Sequence, residues 1–204
     1  MGTVASLTGG VTTVAIAILV WPAAAVAAPG DAPLALEVRP AHSANRAGEP
    51  VRLTVSVTNR SDAACGLSKA AEGTVQITSV RRDGQELVPV LTRSFHADGL
   101  GGAIRAGMVE VAPGLTVELT LAGVRIAGGD PGSVVLRSVT AAPDGAAMDT
   151  LWPIGSPGRY EVTAGYAVPP VEGAITPCVG AAAAQTVSFT MATRAAESFL
   201  GRGY

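Results

Sequence analysis

Hydrophobic and polar residues alternate strictly in the stretch GEPVRLTVSVTNRSDAAC, residues 48–65. Valine or leucine occupies every second position from 51 to 57, and arginine, threonine and serine fill the positions between them. Successive side chains of a β-strand point to opposite faces, so this pattern predicts a strand with one buried and one solvated face. The NRSD that follows is rich in turn-forming residues and predicts the end of the strand.

The same period of two recurs along the chain and predicts eight or nine short strands. Asp83-Gly84 and Pro113-Gly114 supply turn chemistry between them. Because the crossover helices of a parallel α/β fold are missing, we predict an all-β, immunoglobulin-like antiparallel β-sandwich. We expect a long Gly/Pro-rich loop insertion at about 123–157, within which SVVLRSV predicts one extra strand. The other predicted strands include 34–38, 51–57, 75–77 with a return strand at 87–91, 115–121, 160–166 and 187–191.

The first thirty residues carry no charged side chain. An apolar run, VTTVAIAILVW, is followed by Pro22 and a series of small residues, which is typical of a secretory signal peptide. Ala25-Val26-Ala27 matches the A-x-A cleavage pattern, so we predict a signal peptide at 1–27. A retained membrane anchor is the alternative, although a span needs about 20 apolar residues and this run is shorter. The predicted mature chain then has a short linker at 28–33, the sandwich domain at 34–192 and a tail at 193–204.

The chain has two cysteines, Cys65 and Cys178, and no metal-type spacing joins them. Outside the cytoplasm two such thiols are expected to pair. In the predicted sandwich the strands at 51–57 and 160–168 run in the same direction, so the loops that follow them lie at the same end. We therefore predict a Cys65–Cys178 disulfide between those loops, with two unrelated buried thiols as the alternative.

Three aromatic residues are candidates for special roles. Tyr160 or Tyr166 is a candidate tyrosine corner, in which the hydroxyl bonds back to the nearby backbone. The alternative is a packed ring with its hydroxyl at the rim. Trp152 is a candidate binding anchor, since tryptophan is enriched in binding hot spots. The alternative is that Trp152 plugs one end of the sandwich.

The quoted strand, the later DG hairpin, VAPGLTVELTL and SPGRYEVTAGY together resemble bacterial immunoglobulin-like domains. They are most similar to the BsuPI-type proteinase-inhibitor domain, which has a G-x-x-V-x-L-x-V-x-V-x-N strand, a central P-G strand and a P-G-x-Y-x-V ending. The resemblance covers about residues 34–192 and implies an immunoglobulin-like sandwich with proteinase inhibition as one function. The two cysteines, the export signal and the insertion depart from that pattern, and no functional residue is transferred.

Residues suited to catalysis or metal binding are sparse. His42 and His96 are the two histidines, and neither H-x-x-H nor H-E-x-x-H spacing occurs. We predict no catalytic residue, no metal and no cofactor. The glycine-rich stretch 99–102 lacks the spacing of a phosphate-binding loop and predicts a flexible loop.

Composition narrows the function classes further. The 14 basic and 16 acidic side chains nearly balance. Nucleic-acid-binding proteins usually have an excess of basic residues, so this class of function is excluded. The 4% aromatic content is too low for a stacking platform. We expect a secreted, non-enzymatic domain that binds a protein or cell-envelope partner through its loops or its insertion. A proteinase inhibitor and an enzyme built from distant loops are the alternatives, and membrane association is expected only if the N-terminal segment is retained.

Overall fold

The computed structural model describes residues 32–96, 99–126, 133–141, 146–173 and 175–193. The predicted signal peptide and the tail from residue 194 onward lie outside the described residues. In chain order the strands and the single helix of the described part are β1 (Leu34–Pro40), β2 (Ala44–Arg46), β3 (Arg52–Asn59), β4 (Cys65–Ser68), β5 (Val75–Arg82), β6 (Gln85–Glu86), β7 (Leu91–His96), α1 (Leu100–Ala106), β8 (Met108–Val111), β9 (Thr116–Arg125), β10 (Val134–Ala141), β11 (Ala146–Pro153), β12 (Gly158–Ala167) and β13 (Ala181–Ala192).

Two sheets pack through their aliphatic faces, which confirms the predicted all-β sandwich. The larger sheet has the order β1-β3-β9-β10-β11-β7, and the smaller has the order β2-β13-β12-β5-β6. A further two-stranded sheet joins β4 to β8. Among the strand pairs of the described residues, β2 with β13 is parallel and the others are antiparallel.

The alternating stretch 51–57 buries its aliphatic face, as predicted. The four aliphatic side chains of this stretch have no exposed surface, and Val55 lies opposite Leu119 of β9 on the inner face. In the smaller sheet the rings of Tyr160 and Phe189, on the paired strands β12 and β13, stack with centroids 5.4 Å apart. Since each fully buried aliphatic side chain contributes about 1.5–3 kcal/mol, the inner faces supply the main stabilisation of the fold.

The strand count is higher than predicted, because β2, β4, β6, β7 and β11 add to the predicted strands. The described part of residues 123–157 forms paired strands rather than the long loop that was expected. β10 confirms the extra strand at SVVLRSV, and β11 returns beside it across seven paired positions. β10 lies between β9 and β11 and is buried at most of its positions. A strand covered on both faces loses the period of two, which is why β10 begins with a continuous apolar run instead of an alternation.

After the Asp83-Gly84 turn the chain passes from the five-stranded sheet to the six-stranded sheet. Asp83 and Gly84 both have positive φ, 52° and 81°, as a two-residue hairpin turn requires. The predicted return strand at 87–91 is wrong. The hairpin returns through β6, its last hydrogen bond to β5 runs from the Leu87 N–H to the Val80 carbonyl (2.8 Å), and the next strand, β7, pairs with β11 of the other sheet. Pro89 lies in between and has no N–H to give to a ladder.

The glycine-rich stretch 99–102 was predicted as a flexible loop, and this prediction is wrong. Leu100 and Ile104 lie four residues apart on one face of helix α1, and Ile104 is fully buried. They pack over Gly73, where an added Cβ would come within 2.7 Å of the Ile104 Cδ1 atom. Tertiary packing therefore holds a helix that glycine propensity alone disfavours.

Candidate functional site

The disulfide lies at the end of the sandwich where β12 leads into β13. Cys65 begins β4, and Cys178 lies in the loop 168–180, with their Cα atoms 4.9 Å apart. This confirms the predicted Cys65–Cys178 bond. Two backbone hydrogen bonds reinforce it, from Gly66 N–H to the Thr176 carbonyl (2.7 Å) and from Cys178 N–H to the Gly66 carbonyl (2.9 Å). The loop is therefore fixed along its C-terminal half to β4.

Strand β4 is fixed in turn to the core and to helix α1. The Tyr166 hydroxyl donates to the Ser68 carbonyl (2.9 Å) and accepts from the Ser68 N–H (2.8 Å). The Ser68 hydroxyl donates to the Ile104 carbonyl at 2.9 Å. Because Tyr166 is buried, the pKa of its hydroxyl is raised to about 12. Tyr166 of β12 therefore holds β4, and β4 in turn holds α1 through the Ser68 hydroxyl.

Tyr166→Phe is expected to lower the free energy of unfolding at neutral pH by about 1–3 kcal/mol, because it leaves both backbone groups of Ser68 without their partner. The wild type should also lose stability between about pH 10 and pH 12, where the unfolded tyrosine ionises and the folded one keeps its proton. That loss is at most about 2–3 kcal/mol, is absent below about pH 10, and should shrink in the variant. Urea titrations at about pH 8 and pH 11 measure both effects, and an equal alkaline loss in the two proteins would contradict this role of Tyr166.

Tyr160 lies toward the opposite end of β12. Its hydroxyl donates to the Ser156 carbonyl, four residues upstream, at 2.9 Å. A hydroxyl that bonds to the backbone a few residues upstream is the bond expected of a tyrosine corner. Burial raises the pKa of Tyr160 as well. The bond closes the turn that enters β12, far from the disulfide.

Asn59 shapes the segment that leads from β3 to Cys65. Its side-chain amide is fully buried and donates to the carbonyls of Ala63 (2.8 Å) and Val111 (2.9 Å), while its oxygen accepts the N–H of Ser61. These bonds satisfy a buried polar group and set the path of the turn. The turn predicted after β3 is confirmed, and it places Cys65 beside the loop that holds Cys178.

A cleft of about 850 Å³ opens beside the disulfide. We call it the disulfide-end cleft. One wall is helix α1, the other is the loop 168–180, and the ends of β10 and β11 complete it. Its lining includes Leu100, Ile104, Val168, Pro169, Cys178 and Val179.

The chemistry of the disulfide-end cleft is mostly aliphatic. The charged side chains on its described lining are Arg105 and Glu172, both exposed, and Thr176 supplies a hydroxyl. No aromatic side chain and no histidine line the described part. Pro169, like the other prolines of the loop, offers no N–H donor. The cleft can bury apolar groups, and its described lining holds no nucleophile paired with a base.

Trp152 does not lie at the surface. It lies on β11 opposite Leu136, and 7% of its surface is exposed. Its indole Nε1 has no hydrogen-bond partner in the described part of the protein. The exposed-anchor interpretation of Trp152 is therefore replaced by a core role, because an aromatic ring on the inner face of β11 is covered by the opposite sheet.

The described residues contain neither a cluster of metal-binding side chains nor a helix that could span a membrane. No group of three or more His, Cys, Asp or Glu side chains there could hold a metal ion. His42 is exposed in the connection between β1 and β2, and the side chain of His96 lies outside the described residues. No described helix is long and apolar enough to cross a membrane.

The residues of α1 that line the cleft were not identified from the sequence. Leu100 and Ile104 have the i, i+4 spacing of a helix face, but Gly101 and Gly102 stand between them and dominate the local pattern. This i, i+4 spacing is the one feature of the sequence that could have indicated the helix face. It indicates a cleft only when Gly73 and the loop 168–180 are known to lie nearby.

Comparison with known proteins identifies no family. No protein-family model matches the chain, and no curated protein matches it. One similar solved structure is a β-glucosidase, EmGH1, from Erythrobacter marinus, with 13% identity and a TM-score of 0.31 over 77% of this chain; the chain spans 15% of its length. Another is AvmM, described as catalysing macrocyclization in alchivemycin A biosynthesis, with 14% identity and a TM-score of 0.33 over 81% of this chain and 92% of AvmM. Such low scores carry no argument about function, so the resemblance to the BsuPI-type domain stays a prediction.

Proposed function

We propose that this protein is an exported, non-enzymatic binding module that holds a protein or cell-envelope partner in the disulfide-end cleft. The cleft itself is the observation that carries the proposal. It is concave and aliphatic, and its volume lies in the range of ligand sites. The closed Cys65–Cys178 disulfide supports export, because such bonds persist in oxidising compartments.

Rigidity favours binding at this position. The C-terminal half of the loop 168–180 is held by the disulfide and by two hydrogen bonds to Gly66, and β4 is held by Tyr166. Because this side of the cleft is already ordered in the free protein, it loses little further conformational entropy when a complex forms. Loops on a rigid scaffold commonly carry recognition for this reason.

Val179 is the side chain best placed to make first contact. It lies on the lining of the cleft, and 84% of its surface is exposed. A large aliphatic group that is kept in water at the rim of an apolar cleft gains free energy when a partner covers it. Arg105 and Glu172 provide opposite charges that would orient the partner.

Val179→p-benzoylphenylalanine is expected to yield a photo-crosslinked adduct when the exported protein is irradiated in its native culture. Val124→p-benzoylphenylalanine is the matched control, since Val124 is also exposed (45%) but lies on β9 toward the opposite end. Gel mobility and mass spectrometry of the purified protein measure the result. An adduct at Val179 and none at Val124 supports the cleft.

Equal crosslinking at the two positions, or none at Val179, would overturn the cleft as the binding site. The identity of the adduct also separates the functions. A captured peptidase would favour inhibition, whereas an envelope component would favour the proposed module. An adduct that forms only when Cys65 and Cys178 are oxidised would further tie binding to the closed loop.

A further inference from the structure

Strand β7 is the outermost strand of the six-stranded sheet. In the described part of the chain it pairs with β11 and with no other strand, so one edge of its backbone is open. Consecutive side chains from Leu91 to Ser94 are all exposed. Since consecutive side chains point to opposite faces, the stretch from Leu91 to Ser94 is covered on neither face. An open edge is a template for another strand.

Aliphatic side chains are concentrated around this open edge. Eight large hydrophobic side chains of the described residues are exposed, and four of them lie on or next to β7 or on its neighbour β11. Val88 is 81% exposed, Val90 57%, Met148 50% and Leu91 37%. Natural edges are usually protected by charge, proline or a bulge, and within β7 itself only Arg93 is charged at neutral pH. The edge is therefore suited to being covered by a partner strand.

We propose that β7 pairs antiparallel with β7 of a second copy of this chain, with Ser94 opposite Ser94 of that copy. A two-fold axis perpendicular to a continuous sheet places some residue opposite its own copy, because opposed side chains must share a face. Centring on Arg93 would oppose two guanidinium groups, which is unfavourable. Centring on Ser94 opposes two small hydroxyl side chains instead.

The centre at Ser94 also gives a favourable pair on the other face. It places Arg93 of each copy opposite Phe95 of the other. The Arg93 guanidinium already lies 6.0 Å from the centroid of its own Phe95 ring and 3.3 Å from the Asp149 carboxylate, so it is oriented on that face. Stacking of the guanidinium on a second aromatic ring is attractive. The two six-stranded sheets then become one continuous sheet, and the sequence net charge of −2 causes little repulsion between copies.

The test uses charge at the predicted axis. Ser94→Glu and Ser94→Lys each place two like charges opposite one another in a homodimer, whereas their equimolar mixture places a glutamate opposite a lysine. Ser94 is exposed, so both variants should fold as the wild type does. The control pair is Thr120→Glu and Thr120→Lys, at an exposed position of the interior strand β9. Sedimentation velocity of the disulfide-closed protein up to about 100 µM measures the oligomeric state.

We expect the wild type and both Thr120 variants to dimerise, and each Ser94 variant alone to dissociate at least about tenfold more readily. Mixing the two Ser94 variants should restore the dimer. A monomeric wild type across the concentration range would overturn the proposal. A dimer that persists unchanged in Ser94→Glu, or a mixture that remains monomeric while the wild type dimerises, would also overturn the Ser94-centred contact.

Discussion

Replacing both cysteines, Cys65→Ala with Cys178→Ala, is expected to lower the free energy of unfolding by about 3–5 kcal/mol. The bond closes a loop between residues 113 apart in the chain, so it removes much of the freedom of the unfolded state. Cys178 belongs to the hydrophobic core and Cys65 packs against it, but most of the core consists of aliphatic side chains between the two sheets. We therefore expect an unchanged β-type circular dichroism spectrum and a lower denaturation midpoint, measured by urea titration.

The same variant should loosen the cleft more than the sandwich. The amides of Gly66 and Cys178 donate the hydrogen bonds that join β4 to the loop, and hydrogen exchange at both should accelerate strongly. The amide of Val55, deep in β3, serves as the internal control. Wild-type protein with the disulfide reduced should behave as the variant does. If the free energy of unfolding falls by less than about 1 kcal/mol, or if exchange at Val55 accelerates equally, the disulfide does not stabilise the cleft in the way proposed.

The elements that sequence alone predicts are those whose two faces differ. Residues 51–57 alternate because one face meets the core and the other meets water, so their burial can be read from the residue types. The cysteine pairing was predictable because it depends on the direction of two strands of this kind. Two strands of equal direction place their following loops at one end, and the disulfide between Cys65 and Cys178 lies there.

The elements that sequence does not predict depend on contacts between distant parts of the chain. α1 persists through packing on Gly73 rather than through its own propensity. The burial of Trp152 follows from the pairing of β11 with β10, which lies in the region that the glycine and proline content predicted as a loop. The disulfide-end cleft combines α1, the loop 168–180 and the ends of β10 and β11, so no local pattern contains it.

A buried carboxylate holds β11 to its two neighbouring strands. Asp149, with 2% of its side chain exposed, accepts a hydrogen bond from Arg137 Nε at 2.9 Å and one from Arg93 at 3.3 Å. The hydrogen bond to Asp149 raises the pKa of Arg137, and Glu72 adds to the effect. Arg137 is 34% exposed and Arg93 61% exposed. The closer and more buried arginine should therefore contribute most of the compensation for the buried charge.

Arg137→Met is expected to lower the free energy of unfolding by about 3–4 kcal/mol, because it leaves the buried Asp149 carboxylate with only the longer hydrogen bond from the more exposed Arg93. Arg93→Met, the matched control on the same carboxylate, should cost about 1 kcal/mol or less. The double variant Arg137→Met with Asp149→Leu should be more stable than Arg137→Met alone, since it removes the unpaired charge together with its lost partner. Urea titrations of dilute protein measure all three. Equal losses for the two arginine variants, or a double variant no more stable than Arg137→Met alone, would mean that Asp149 does not depend on Arg137.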